Sequence, residues 1–281
     1  MILWEQGTEK QYFAVKTLHT HRHAEYEREV EVLQRFSGGN EGHPHLIRLL
    51  LAYQHEEKHH MIFPWANGNL RDFWESIKLP NRTKELACWM LSQFHGISEG
   101  LREIHGNGNE LNPNDRSTGR HGDIKAENIL WIENHNDSKN HLLICDFGLS
   151  RFHSVKSQSE DRAPGCSPSY RPPECDLYHL RISVKYDIWT LGCLLLEFLT
   201  WYLLGWDAVE GTFSDARMRD EGWTRGVPLT RPDKDDSKWL YEDKFFRQQQ
   251  DGNLVSAQLK PSVIAVSPSF SFGLTPHSSG Y

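Results

Sequence analysis

The stretch His121-Gly122-Asp123-Ile124-Lys125-Ala126-Glu127-Asn128-Ile129-Leu130, followed by Cys145-Asp146-Phe147-Gly148, decides how the rest of this chain is read. It sets a carboxylate (Asp123), an ammonium (Lys125), a carboxamide (Asn128) and a second carboxylate (Asp146) on two neighbouring connections. Each half has an ordinary reading. Asp-Phe-Gly is a common turn, and Asp123 to Asn128 suits a helix N-cap followed by a charged turn. Neither ordinary reading accounts for both segments in this order and at this spacing.

Upstream, residues 11–18 are β-branched and aromatic enough for a strand, with Ile2 to Trp4 as the end of a paired one across Gln6-Gly7-Thr8-Glu9. Tyr26, Val30, Leu33 and Phe36 predict a helix over 23–36, stopped by Ser37-Gly38-Gly39-Asn40. Leu46 to Tyr53 and His60 to Trp65 read as two further strands, and Ala66-Asn67-Gly68-Asn69 as the first boundary. Helical patterns follow over 70–77, 83–105 and 184–201. Residues 106–120 form a polar insertion without periodicity. The charged, Gly- and Pro-containing stretch 211–237 reads as a surface loop, and the chain from 261 as an irregular tail. The class is α+β, with a small antiparallel-sheet lobe before a larger mainly helical lobe.

Composition bounds the function. Of 281 residues, 38% are apolar and 25% charged, which permits a buried core. The net charge of −7 argues against a general nucleic-acid binder. The five cysteines include no C-x-x-C pair, so a reducing, intracellular compartment (cytoplasm or nucleus) is expected rather than a zinc or disulfide framework. No secretory signal is expected at Met1 to Glu5. The apolar run Ile188 to Trp201 is shorter than a bilayer span and carries Glu197, so it reads as a buried helix, and no membrane partner is expected. His19, His21, His23, His59 and His60 read as solvated loop residues, because no cysteine or carboxylate set completes a metal geometry.

Transfer of a phosphoryl group from a nucleotide needs the set of side chains in the opening stretch, and the two segments together resemble the catalytic and metal loops of eukaryotic protein kinases. Phe13-Ala14-Val15-Lys16 resembles the V-A-I-K strand of that family. The resemblance implies ATP and magnesium as cofactors and a protein Ser/Thr hydroxyl as acceptor. It implies Lys16 on the α- and β-phosphates with Glu29 as its helix partner, and Ala14 over the adenine. The Pro64 carbonyl and the Ala66 N–H would serve the adenine edge beside Phe63, with Ile129 and Leu130 as the floor beneath. Asp123 would be the base, Lys125 the γ-phosphate contact, and Asn128 and Asp146 the magnesium ligands. Phe147 would pack under the helix of Glu29. Taken alone, Lys16 and Glu29 read as a surface lysine and one glutamate among several.

Cys166-Ser167-Pro168-Ser169-Tyr170-Arg171-Pro172-Pro173-Glu174 resembles the family's G-T-x-x-Y-x-A-P-E segment, a platform for protein substrates. Ser167 would bond Asp123 and Lys125, the serine/threonine pattern. Asp187-Ile188-Trp189-Thr190-Leu191-Gly192 resembles the start of the family's central helix, with Asp187 bracing the catalytic loop through its N–H groups. The ordinary reading of this piece is an N-capped buried helix.

Three departures qualify the resemblance. Gly122 replaces the arginine of H-R-D, so phosphorylation at Ser154, Ser157, Ser159 or Ser167 is not expected to be the main switch. No G-x-G-x-x-G precedes Lys16, and Arg247, the last arginine, lies outside any family-like partner segment for Glu174. The chain is therefore expected to be truncated at both ends. His121-Gly122-Asp123, Glu242 to Phe246 and Leu259 to Val263 are similar to a group of fungal kinases. The expected organisation is a partial N-lobe over 1–66, a C-lobe over 67–263 and an irregular tail over 264–281. Besides an active kinase, two readings stay open: a kinase-like scaffold that no longer turns over, and a small-molecule phosphotransferase. Neither sequence nor composition speaks to oligomeric state.

Overall fold

The structure, a computed structural model, describes residues 2–6, 9–37, 42–106, 117–133, 140–154, 167–177, 183–222, 242–252 and 254–269. Strands β1 (Ile2–Gln6), β2 (Glu9–His19), β3 (Leu51–His55) and β4 (Lys58–Pro64) form one antiparallel sheet in the order β1-β2-β4-β3. Its ladder sets Lys16 opposite Met61 and Phe13 opposite Pro64. Pro64 ends β4, where a missing N–H costs the ladder least.

Helix α1 (His23–Ser37) crosses this sheet. Its buried residues, Glu29, Val32, Leu33 and Phe36, fall at i, i+3, i+4 and i+7, one helical face. The expected strand over 46–53 starts later, at Leu51. Residues 46 and 47 instead meet the C-lobe: Leu46 makes a single parallel bridge to Ile144, and Ile47 N–H donates to Ile144 O at 2.9 Å, while Leu50 N–H already donates to Ile62 O of β4. An apolar run was read as a strand where two lobes meet edge to edge.

Beyond the lobe linker, β5 (Gly68–Asn69) leads into α2 (Leu70–Ser76), and α3 (Lys84–Ile104) follows. Asn69 and Asp72 form a reciprocal capping box that fixes the start of α2. Thr83 accepts Leu86 N–H to start α3. Strand β6 (Ser117–Arg120) pairs with β9 (Arg151–Ser154), and β7 (Ile129–Ile132) lies between β5 and β8 (His141–Ile144). Of the polar insertion expected over 106–120, residues 117–120 are thus β-structure, and 107–116 lie outside the described residues.

Helix α4 (Lys185–Leu204) is the axis of this lobe. It is long and apolar enough to cross a membrane by length and composition, but half of it is buried in protein, with Leu194, Phe198 and Trp201 inaccessible. Phe73, Trp74 and Trp89 stack around Phe198 and Trp201 with ring centroids 5.5–6.1 Å apart. Phe73, Trp74, Phe198 and Trp201 are buried, each contributing about 2–3 kcal/mol, and Trp89 is partly buried. The Trp201 indole N–H reaches the carbonyls of Trp74 and Ile77. Gly205 ends the helix at φ +87, and a Cβ there would lie 2.5 Å from Lys78 O. Only glycine suits that approach.

Two expectations fail after α4. Within the stretch read as a loop from 211, a π-helical turn (Ala208–Phe213) runs into α5 (Ser214–Arg219), with Val209, Phe213 and Arg217 buried. Their i, i+4, i+8 spacing is a helical face, concealed in the sequence because its third member is an arginine. The remainder, 223–237, lies outside the described residues. A hairpin of β10 (Phe246–Asp251) and β11 (Leu254–Leu259) then leads to α6 (Pro261–Ser269), so the tail expected to be irregular begins with a helix that buries Val263. His59 also departs from expectation. It is in β4, 2% exposed and stacked on Tyr26 at 4.2 Å, rather than solvated in a loop.

Candidate active site

Lys16 stands on β2, and its Nζ lies 2.7 Å from Glu29 Oε1 on α1 and 2.9 Å from Asp146 Oδ1. Three elements distant in sequence thus converge on one ammonium. Burial opposes its charge, but Glu29 and then Asp146 outweigh that, and Lys16 stays above its ordinary pKa. Glu29 is buried deeper, at 5% exposure. Burial pushes its carboxyl up, and Lys16 offsets this only in part. Asp146 is held below the usual carboxylate range, because Lys16 and the Gly148 N–H overcome the effect of burial. Asp146 takes the left-handed conformation at φ 62, unusual for a non-glycine residue. Phe147 behind it is 1% exposed and stacks on Phe36 of α1 at 5.8 Å, as the sequence predicted.

The 121–128 connection is fixed from behind. Asp187, wholly buried, accepts the N–H groups of His121 and Gly122, each at 2.8 Å, and His105 Nε2 lies 2.8 Å from it. Asp187 is the third residue of α4 rather than its N-cap. Its carboxylate therefore serves the connection rather than its own helix, and this bracing was legible in the sequence. His121 Nε2–H donates to Cys145 O at 3.0 Å, and its Nδ1 accepts Asp123 N–H at 3.3 Å. Burial lowers its pKa, and the neutral ring satisfies both neighbours. His105 carried no signal in the sequence, and His121 was legible as the first residue of the H-x-D motif but without this bonding role.

At the front of the connection, Asn128 Nδ2 donates to Asp123 O and to Asp123 Oδ2, both at 2.8 Å. Lys125 Nζ lies 2.8 Å from the same Oδ2. The base, ammonium and amide expected from the sequence are one bonded cluster. Ser167 makes no hydrogen bond to Asp123 or Lys125 among the described residues, which departs from expectation. Lys125 spends its charge on Asp123 instead. Cys166, Ser157 and Ser159 lie outside the described residues.

A cleft of about 490 Å³ opens between the lobes. Ala14, Lys16, Glu29, Pro64, Ala66, Asn128, Leu130 and Asp146 all line it, with Leu33, Phe63 and Trp65. Asp123 and Lys125 are not in its lining and reach it through Asn128. Ile129 does not form the floor with Leu130. It is fully buried on the opposite side of β7, because successive strand residues face opposite ways. An apolar slot with an ammonium and two carboxylates at one end suits a planar heterocycle bearing phosphates. Among the described residues no three His, Cys, Asp or Glu side chains gather as a metal group.

Residues 3–238 match the family model described as protein kinase domain. The chain is 29% identical over 193 residues to a probable serine/threonine-protein kinase MRK1 homolog of Encephalitozoon cuniculi, covering 66% of this chain and 52% of that protein. It is 31% identical over 186 residues to the fatty acyl-CoA synthetase and RNA processing-associated kinase 1 of Saccharomyces cerevisiae, covering 64% and 18%. It is 28% identical over 176 residues to the CTD kinase subunit alpha of Schizosaccharomyces pombe, covering 62% and 25%. The chain thus spans about half or less of the length of these relatives.

Proposed function

The chain belongs to the protein kinase family, and on that premise we propose that it transfers the γ-phosphoryl group of ATP to Ser or Thr hydroxyls of protein substrates. The observation that carries this is the convergence of Lys16, Glu29 and Asp146 in a cleft that Asn128 also lines, with Asp123 and Lys125 bonded to one another and Asp123 to Asn128 just outside that lining. A scaffold has no use for such a set.

The adenine lies between Ala14 and Leu130, against Phe63, and meets the Pro64 carbonyl and the Ala66 N–H. Lys16 takes the α- and β-phosphates. Lys125 faces the γ-phosphate. Asp123 orients the substrate hydroxyl and accepts its proton as the oxygen attacks. Asn128 gives its N–H groups to Asp123, so its amide oxygen is left for a cation. With Asp146 this makes a hard oxygen donor set that fits magnesium. Asn128 and Asp146 would hold that ion, which when bound neutralises charge on the phosphates.

Lys125 and Ser167 match the serine/threonine pattern rather than the tyrosine one. The four described cysteines are free, which suits the reducing cytoplasm or nucleus. Melting of the whole chain with ATP and magnesium, together with phosphate transfer to a Ser/Thr protein, tests the proposal. ATP with magnesium should raise the melting temperature, Asp146→Asn should remove the magnesium-dependent part, and Asp123→Asn should stop transfer while nucleotide still binds. No shift with any nucleotide would sink the proposal.

A further inference from the structure

We propose that residues 242–248 are an in-chain strut that holds segment 167–176 in place to receive a protein substrate, with Asp243 as hub and Ser169 as the point of contact. The proposal rests on reading that segment as the substrate platform. Residues 242–248 lie beyond the part matched to the kinase domain, which ends at 238.

The contacts form a closed ring. The Ser169 hydroxyl donates to Asp243 Oδ1. Asp243 Oδ2 accepts the Ser214 hydroxyl at 3.0 Å and lies 3.3 Å from Arg217 Nη2. Arg217 also donates from Nε to the Asp243 carbonyl and lies 3.3 Å from Glu197 Oε1 on α4. The other Glu197 oxygen accepts the Tyr170 hydroxyl. Ser169 and Tyr170 are neighbours in the chain, so five side chains close on themselves.

The ring is buried where it matters. Arg217 is 1% exposed and lies between the Phe213 and Phe245 rings, 4.2 and 4.3 Å from their centroids. Tyr170 and Phe245 face each other at 6.1 Å. A second tie runs further along: Lys244 Nζ lies 2.8 Å from Asp176 Oδ2, and Gln248 Nε2 donates to the Asp176 carbonyl at 3.3 Å. The strut also touches the catalytic side, since Phe246 meets Trp189 edge-on at 5.8 Å, two residues after Asp187.

An apolar plug would fill this volume with less desolvation cost. Directional bonds fix a register that an apolar contact leaves free. Among the described residues, segment 167–176 gives backbone bonds from Arg171 N–H to Pro168 O, and from Cys175 and Asp176 N–H to Pro172 O and Pro173 O. Its ties to 242–248 run through the side chains of Ser169 and Asp243, Lys244 and Asp176, and Gln248. Ser169 and Asp243 are positioning residues, acting on substrate through the segment rather than by touch.

The test uses the whole chain and two variants. Ser169→Ala cuts the link without stranding Arg217, and Asp243→Asn keeps the shape while removing the charge. Amide exchange of Arg171, Cys175 and Asp176 should quicken about three- to tenfold in both, with exchange around Lys16 unchanged. KM for a Ser/Thr substrate peptide should rise by a similar factor while KM for ATP stays within about twofold, and Ser169→Thr should restore both. Unchanged exchange in a folded Ser169→Ala chain overturns the strut. Faster exchange with an unaltered peptide KM overturns its positioning role. Absence of transfer by the unaltered chain counts against the kinase reading instead, and the exchange result still decides the strut.

Discussion

Gly122 gives its N–H to Asp187 Oδ1 at 2.8 Å, joining the catalytic connection to a carboxylate 65 residues further along the chain. The adjacent His121 N–H goes to the other oxygen of the same carboxylate. Asp187→Ala would strand two buried donors. Each costs about 1–3 kcal/mol, so a loss on the order of 3 kcal/mol is expected. Asp123 would also lose its support, and transfer should fall on the order of a hundredfold. Denaturant unfolding and phosphate transfer on the same preparation check both.

Lys16→Met removes the ammonium that Glu29 and Asp146 share. Nucleotide affinity and transfer should both fall, transfer by on the order of a hundredfold. The variant also leaves Glu29 buried beside Asp146, with burial already raising its pKa. A carboxyl raised in the fold contributes stability at pH below its unfolded value and loses it as pH rises. The variant should therefore be penalised more at about pH 8 than at about pH 5 relative to the unaltered chain. Adding Glu29→Gln should flatten that difference, which melting curves at the two pH values measure.

The polar set proposed for catalysis was legible because phosphoryl transfer demands those residue types at fixed spacing on short connections. Asp123, Lys125, Asn128 and Asp146 lie within a few residues of one another or across the β7–β8 pair. Lys16 and Glu29 became legible only through that context. The ring of Ser169, Asp243, Arg217, Glu197 and Tyr170 was not legible, since its members come from four elements and no spacing joins them. Arg217 shows why. Its charge marked the 211–219 stretch as a loop, whereas its partners and two phenyl rings allow it to occupy a core position. Leu46 and Ile47 failed for the opposite reason. An apolar run carries no information on whether it will pair along a sheet or cross between lobes.

His45 should make the fold acid-sensitive in a defined window. Burial, then the nearby His141, depress its pKa to about 4. Its Nδ1–H donates to Leu142 O at 2.7 Å, a bond that favours the charged ring but does not outweigh burial. A depressed pKa means stability is present above the unfolded value of about 6.5 and drains away as pH falls toward 4. Asn in this place can still donate to Leu142 O but takes up no proton. Unfolding free energy measured from pH 7 to 4 should therefore fall less steeply in His45→Asn than in the unaltered chain. Equal slopes would show that His45 has no part in it.

The same ring explains why Gly96 sits in the middle of α3, where alanine would ordinarily favour the helix by up to about 1 kcal/mol. A Cβ at Gly96 would lie 1.9 Å from His45 Nε2 and 2.2 Å from its Cδ2. The ring cannot swing away without giving up Leu142 O. Gly96→Ala should therefore cost about 1–3 kcal/mol, as overpacking does, despite its helix propensity. The penalty should vanish when the wedge is removed: on a His45→Ala background, Gly96→Ala should be neutral or stabilising. Urea unfolding of the four proteins gives the coupling directly, expected to exceed about 1 kcal/mol. A coupling near zero would mean that α3 shifts away from β8 at little cost, and that the lobes are joined at His45 less rigidly than its bond to Leu142 indicates.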